Sequence, residues 1–168
     1  MTKQITSAFG EAQYPHLNKP DTEFSAEGIY QVKLKVIKEE AQEDIKAIQN
    51  IINEQLLIEG KKTPNKTDAF QRAPLPYKEL EDGTIQFHFK SKFKPSCVDH
   101  KLASLADSNI WGGSILRVNY KPVGYNVAGT GLGCTLRMTG VQVKKLVEGS
   151  LGTQGFTEVE PEVNQEIV

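Results

Sequence analysis

The chain has 168 residues, 38% of them hydrophobic and 24% charged, which suits one folded domain and leaves little for two separate cores. Its formal charge of −1 singles out no partner, and its two cysteines exclude a disulfide framework and fit a reducing compartment. No apolar run approaches the roughly 20 residues of a membrane span, and the opening Met1-Thr2-Lys3-Gln4-Ile5 lacks the apolar stretch of a secretory signal, so a soluble, cytoplasmic protein is expected.

In residues 28–37, Tyr30, Val32, Leu34 and Val36 alternate with Gln31, Lys33 and Lys35, the pattern of a half-buried strand. From Glu39 the period changes. Ala41, Ile45, Ile48, Ile52 and Leu56 fall three or four apart, acids cluster near the start and Gly60 is available to end the run, which predicts an amphipathic helix over residues 39–59. Residues 60–82 contain Pro64, Pro74 and Pro76 and are expected to form a long loop, of the kind that is usually functional or mobile.

After the turn signal Asp82-Gly83, residues 84–94 set Ile85, Phe87, Phe89 and Phe93 against Gln86, His88, Lys90, Lys92 and Lys94. This predicts a strand with an aromatic core face and a cationic outer face. Residues 95–110 read as irregular or weakly helical. In the next strand Leu116, Val118 and Tyr120 oppose Arg117, Asn119 and Lys121; Pro122 and Gly124 interrupt it, residues 125–127 resume it, and Gly129, Gly131 and Gly133 mark a bend. Leu132, Cys134, Leu136 and Met138 alternate in the last strand, where a bulge at Gly140 would let Val141 and Val143 continue the buried face.

Five or six strands, turn signals between them and one helix after the first predicted strand suggest a mainly β OB-like barrel spanning residues 1–149, with a β-sandwich as the alternative. Residues 150–168 hold too few large apolar groups for a core and are expected to form a flexible acidic tail.

Charge is divided along the chain. Residues 1–83 carry 11 Lys/Arg against 14 Asp/Glu, residues 84–147 carry 9 against 2, and residues 148–168 carry none against 5. A basic middle followed by an acidic end suits a protein that binds a polyanion and carries a tail that mimics one, although local fluctuation of a solvated surface produces the same profile.

Catalytic chemistry finds few candidates. The basic half holds only Asp99 and Asp107, too few carboxylates for two-metal phosphoryl transfer, and no G-x-S-x-G elbow occurs. The glycines at 129, 131 and 133 resemble half of a dinucleotide fingerprint but lead into a strand where that motif needs a helix. Cys97 and His100 have the spacing of half a zinc site, without a second pair. The chain is therefore read as a non-enzyme with no cofactor and no metal.

Nucleic-acid binding fits better, because a single-strand binder needs cations for the phosphates and aromatic faces for the bases. Lys90, Lys92 and Lys94 share one predicted face, Arg117 and Lys121 another, and Arg137 lies on the last strand; Trp111, Tyr120 and Tyr125 are interleaved with them. For Trp111 and Tyr120 the plainer alternative is a core position, and for the lysines an ordinary solvated face. Tyr125, between Gly124 and Asn126, lies in a segment too polar for deep core and is the favoured stacking ring.

The opening Lys3-Gln-Ile-Thr-Ser-Ala-Phe-Gly, Lys19-Pro-Asp, residues 28–34, residues 82–90, residues 112–120 and Tyr125-Asn126 together resemble the single-stranded-DNA-binding proteins of short-tailed and related bacteriophages. The resemblance implies an OB barrel with a helix after the first strand. It also implies coating and protection of single-stranded DNA during phage replication, recombination and repair in the cytoplasm of the infected host, and a possible homodimer. Tyr125 stands where the family has a stacking tryptophan and Arg117 where it has a DNA-contacting lysine, and the opening motif adds Lys3 to the candidate contacts. The acidic tail, through Glu158, Glu160, Glu162, Glu166, Ile167 and Val168, is expected to meet a phage DNA polymerase or helicase/primase. Val123 and Asn119 replace a second aromatic and a second lysine of the family, and the tail ends on Val168 instead of an aromatic residue. Two other readings stay open: a barrel that binds RNA or duplex DNA, and a phage structural or host-inhibitory interaction protein.

Overall fold

The structure, a computed structural model, describes residues 3–23, 26–62 and 70–147. Its elements are β1 (Ile5–Thr6), β2 (Gly10–Asp21), β3 (Ile29–Val36), a 3-10 turn (Lys38–Glu40), α1 (Gln42–Lys62), β4 (Tyr77–Glu79), β5 (Ile85–Ser91), β6 (Ser96–Val98), β7 (Ile115–Val127) and β8 (Gly131–Lys145). Five of the strands close a ring: β2 pairs with β3, β3 with β5, β5 with β8 in parallel, β8 with β7, and β7 returns to β2 through Gly10 opposite Leu116. This is the expected mainly β, OB-like barrel; β1, β4 and β6 extend its margins. Among the described residues no helix is long and apolar enough to cross a membrane.

Alternation explains the core. Val32, Leu34 and Val36 from β3, Phe87 and Phe89 from β5, Leu116, Val118 and Tyr120 from β7 and Leu136 and Met138 from β8 are all fully buried inside the ring. Each such large apolar group contributes about 1.5–3 kcal/mol by leaving water. Three rings pack in a row through the centre, Phe87 stacked 6.1 Å from Phe89 and Phe89 tilted against Tyr120 at 5.0 Å.

The helix starts with Glu43 and Asp44 and ends with Lys61 and Lys62, each pair favourably placed against the helix dipole. It runs through Gly60 instead of stopping there. Ala41 just ahead of it and Ile48 within it are buried, Ile45 and Ile52 pack partly against the core, and the helix lies across β7 and β8. At the crossing the Gln55 side chain packs over Gly124, where a Cβ would sit 2.8 Å from Gln55 Oε1 and 3.1 Å from its Cβ. Asp44, only 4% exposed, receives hydrogen bonds from the Tyr120 hydroxyl at 2.5 Å and from the Ala8 N–H at 3.3 Å.

Several elements depart from the alternation pattern. Two strands, β1 and β2, precede the one that the sequence reveals first. In β2 the pairing with β3 shifts register twice, around Pro15 and Pro20, and Tyr14 has φ +51°, so its buried residues do not recur with period two. β5 ends at Ser91, so Lys92, Phe93 and Lys94 leave the strand and Phe93 is 80% exposed, not part of the core face. β7 continues through Pro122 and Gly124: past Lys121 its sheet neighbour among the described residues is β8 alone, and proline is tolerated on a strand with a free edge. The bulge lies at Thr139, one residue before the expected Gly140, because Asn119 pairs with Gly140 while Tyr120 pairs with Met138. β4 and β6 occupy segments that read as loop.

Candidate nucleic-acid interface

Sheet register brings the basic residues together. Lys90 on β5 is opposite Arg137 on β8, and Arg137 is opposite Lys121 on β7, so three cations form a row across adjacent strands. Their neighbours Phe89, Leu136 and Tyr120 are buried while the three cations are exposed, which places the row on the outer face of the barrel. Two strand spacings make the row roughly 10 Å long. The ion pairs among the described residues lie elsewhere, joining Lys35 to Asp82, Lys38 to Glu79, Lys62 to Glu59 and His16 to Asp21. His88, two residues before Lys90, registers the uncompensated charge: burial first, then the Lys90 and Lys33 ammonium groups, push its pKa down to about 4.

One end of the row opens into a cleft of about 380 Å³ lined by Tyr125, His88, Lys90, Thr135 and residues 74–76. The half-buried Tyr125 ring rests on Gly133, its partner across the β7–β8 ladder; a Cβ at Gly133 would lie 2.9 Å from the Tyr125 hydroxyl and 3.0 Å from Cζ. The far wall is a strap tied to β8, in which the Leu132 N–H donates to Gln71 O at 2.7 Å and the Ala73 N–H to Leu132 O at 2.9 Å. Gly131, at φ +107°, permits this approach, since a Cβ there would sit 2.6 Å from Gln71 O.

Arg117 lies eight residues before Tyr125 on β7, roughly 26 Å along the strand. Its Nε donates to Gln142 Oε1 at 2.9 Å, and its guanidinium sits 4.8 Å over the Phe9 ring, which Lys144 approaches to 5.3 Å. Phe9 and Lys144 escaped the sequence reading, because their meeting with Arg117 depends on pairing between distant segments. Lys3 is exposed just ahead of β1, which pairs with Asn119 and Tyr120.

Other candidates stand apart from the row. Lys92 and Lys94 do not share a strand face with Lys90, because the chain turns after Ser91; Lys94 Nζ instead reaches Ala106 O at 3.4 Å. Trp111 is partly buried in a separate cleft of about 370 Å³ beside Pro15, His16 and Asn18. Tyr120 is a core residue and offers no face to a base. Cys97 is buried, its thiol pushed up to about 11 mainly by that burial, whereas His100 is exposed. Among the described residues no three His, Cys, Asp or Glu side chains converge as a metal site. The tail candidates Glu158, Glu160, Glu162, Glu166, Ile167 and Val168 lie outside the described residues.

No protein-family model matches the chain, and no curated protein matches it. Solved structures do. The crystal structure of gp2.5, a single-stranded DNA binding protein encoded by bacteriophage T7, aligns with a TM-score of 0.77 at 25% identity, covering 98% of this chain and 100% of that one. The single-stranded DNA-binding protein from bacteriophage Enc34 in complex with ssDNA gives 0.61 at 23% identity over 86% of this chain and 88% of its own. A C-terminal truncation of the Enc34 protein gives 0.63 at 20% identity over 86% and 87%; at this identity the Enc34 likeness is one of fold. In its short sequence motifs and in the whole of its barrel, the chain is similar to the single-stranded-DNA-binding proteins of bacteriophages.

Proposed function

We propose that this chain is a non-catalytic protein that coats single-stranded DNA. The observation that carries the reading is the Lys90–Arg137–Lys121 row running into the Tyr125 cleft, on a barrel similar to that of the T7 single-stranded DNA binding protein. The row neutralises phosphates and releases their counterions. The strand then continues into the cleft, where a base stacks on Tyr125, a contact that tolerates any sequence because every base has a π-face. At the other end of β7, Arg117, bracketed by Phe9 and Lys144, offers a second station for the backbone. The broader role is protection of single strands during phage replication, recombination and repair in the host cytoplasm. Residues 1–149 serve as the binding domain and the four acids of residues 150–168 as a docking tail for a polymerase or helicase/primase, with a homodimer as the working assembly.

The test is a fluorescence-anisotropy titration of a labelled oligo-dT strand at several salt concentrations, competed with duplex DNA and with RNA. Binding with a steep salt dependence and weak competition by duplex is the expected result. Equal competition by duplex or RNA would move the assignment to a broader nucleic-acid module. An absence of binding at low salt would leave the likeness as one of fold and turn the search toward protein partners.

A further inference from the structure

His88 reaches the Tyr125 cleft at the end of a relay whose hydrogen-bond polarity is fixed. The relay begins at Asp21, whose carboxylate accepts the Glu23 N–H at 3.0 Å and the Gln31 Nε2–H at 2.8 Å. The Glu23 bond, followed by the His16 charge and the Gln31 bond, holds the Asp21 pKa below its ordinary value against the opposing effect of burial, so Asp21 is ionised and can only accept. The Gln31 amide is thereby oriented, nitrogen toward Asp21 and Oε1 toward His88 Nε2, 2.8 Å away. A carbonyl oxygen cannot donate, so the His88 proton sits on Nε2. With the ring neutral down to about pH 4, Nδ1 carries a bare lone pair. That nitrogen makes no hydrogen bond among the described residues.

The cleft that holds Tyr125 is also lined by Lys90, whose ammonium donates, by Thr130 and Thr135, whose hydroxyls donate or accept, and by His88, whose acceptor left over from the Gln31 contact is Nδ1. Bases differ in what they offer such an acceptor. Cytosine carries a projecting N4 amino donor where thymine carries the O4 acceptor. The one imide N–H of thymine lies recessed between two carbonyl oxygens, both of which would confront the lone pair.

We infer that His88 is a base-selecting residue, whose Nδ1 accepts a hydrogen bond from the exocyclic amino group of a base held against Tyr125, so that the cleft favours cytosine over thymine. The inference rests on the single-strand reading above and deepens it: phosphate contacts supply sequence-independent affinity, and His88 imposes a modest preference on it. A neutral hydrogen bond won or lost at a partly desolvated site corresponds to a preference of about fivefold.

The experiment compares oligo-dC and oligo-dT strands of equal length at pH 8 by anisotropy, for the full chain and for His88→Leu. The wild type is expected to bind oligo-dC about fivefold more tightly, and His88→Leu to bind the two strands with equal affinity, the fold of the variant being checked by a thermal melt. Equal wild-type affinities, or a cytosine preference that survives in His88→Leu, would overturn the inference and leave the single-strand reading intact. Failure of the wild type to bind either strand would overturn both. A second measurement needs no variant: the 15N resonance of His88 Nδ1 in the wild-type protein should move when oligo-dC binds and stay in place with oligo-dT, and identical spectra in the two complexes would refute the contact.

Discussion

Arg137→Ala removes the middle of the cation row and offers the sharpest test of its role. Arg137 lies between Lys90 and Lys121 in the register, all three are exposed, and no ion pair within the described residues neutralises any of them. If each side chain meets one phosphate, each adds about 0.7 to the slope of log affinity against log salt for a single strand. A fourfold rise in salt, from about 50 to about 200 mM, then weakens binding roughly 2.6-fold per contact. The Arg137→Ala slope should be shallower by about 0.7, and the triple variant Lys90→Ala, Arg137→Ala, Lys121→Ala should lose about 2 units, or roughly 18-fold of salt sensitivity over the same range. Folding stability should not fall, because truncating an exposed side chain changes it by no more than about 0.5 kcal/mol and relieves repulsion between like charges on facing strands. The assay is an anisotropy titration at four or more salt concentrations, with a thermal melt of each variant as control. An unchanged slope in the triple variant would refute the reasoning and return the row to an ordinary solvated face.

Three further outcomes follow from the same geometry. Tyr125→Ala should cost about 1–3 kcal/mol of single-strand binding if the ring stacks on a base; wild-type affinity in this variant would place the stacking elsewhere. Tyr120→Phe should cost about 1.5–3 kcal/mol of stability at pH 7, because it strips a donor from a buried carboxylate, and less at pH 4. The sign follows from Asp44, whose pKa burial raises above its ordinary 3.8 against the pull of Tyr120 and Ala8: the native state holds the proton over a window opening upward from that value, so stability falls as pH rises through it, and the variant deepens the fall. Urea melts at the two pH values check this, and an equal cost at both would show that Asp44 does not feel the hydroxyl. Deleting residues 150–168 should tighten DNA binding at low salt if the acids compete for the basic face, and an unchanged affinity would leave the tail as a linker or a partner peptide.

What could be read in the chain depended on how much of each role was local. β5 and residues 134–138 of β8 show clean alternation because each sends one face into the ring, and the α1 stripe of Ile45, Ile48 and Ile52 has a period that only a helix satisfies. β2 stayed hidden because its register slips near two prolines leave Ala12 and Leu17 as its buried apolar residues, five apart. Lys90, Lys121 and Arg137 could each be named from composition and spacing. Their alignment could not, since it depends on β5 and β8 running parallel, a tertiary fact. Nor did anything near His88 mark it as a base reader, because its proton is placed by Gln31 and Asp21 from β3 and β2. Lys92 and Lys94 misled for the opposite reason: the alternation persists in sequence after the strand has ended in space.

The ring closure through Gly10 and Leu116 has a consequence for how the protein comes into being. Those two residues are separated by most of the described chain, and the parallel partner that locks β5 in place, β8, follows every other described strand and leaves the ribosome after them. Contacts between such distant segments form late and slowly, because loop-closure entropy opposes them until they are made. Until β8 emerges, Phe87, Phe89 and Val118 have an incomplete wall and remain a sticky surface. Nascent chains stalled before residue 131 should therefore be protease-sensitive clients of chaperones, and the barrel should appear in one step once β8 is free.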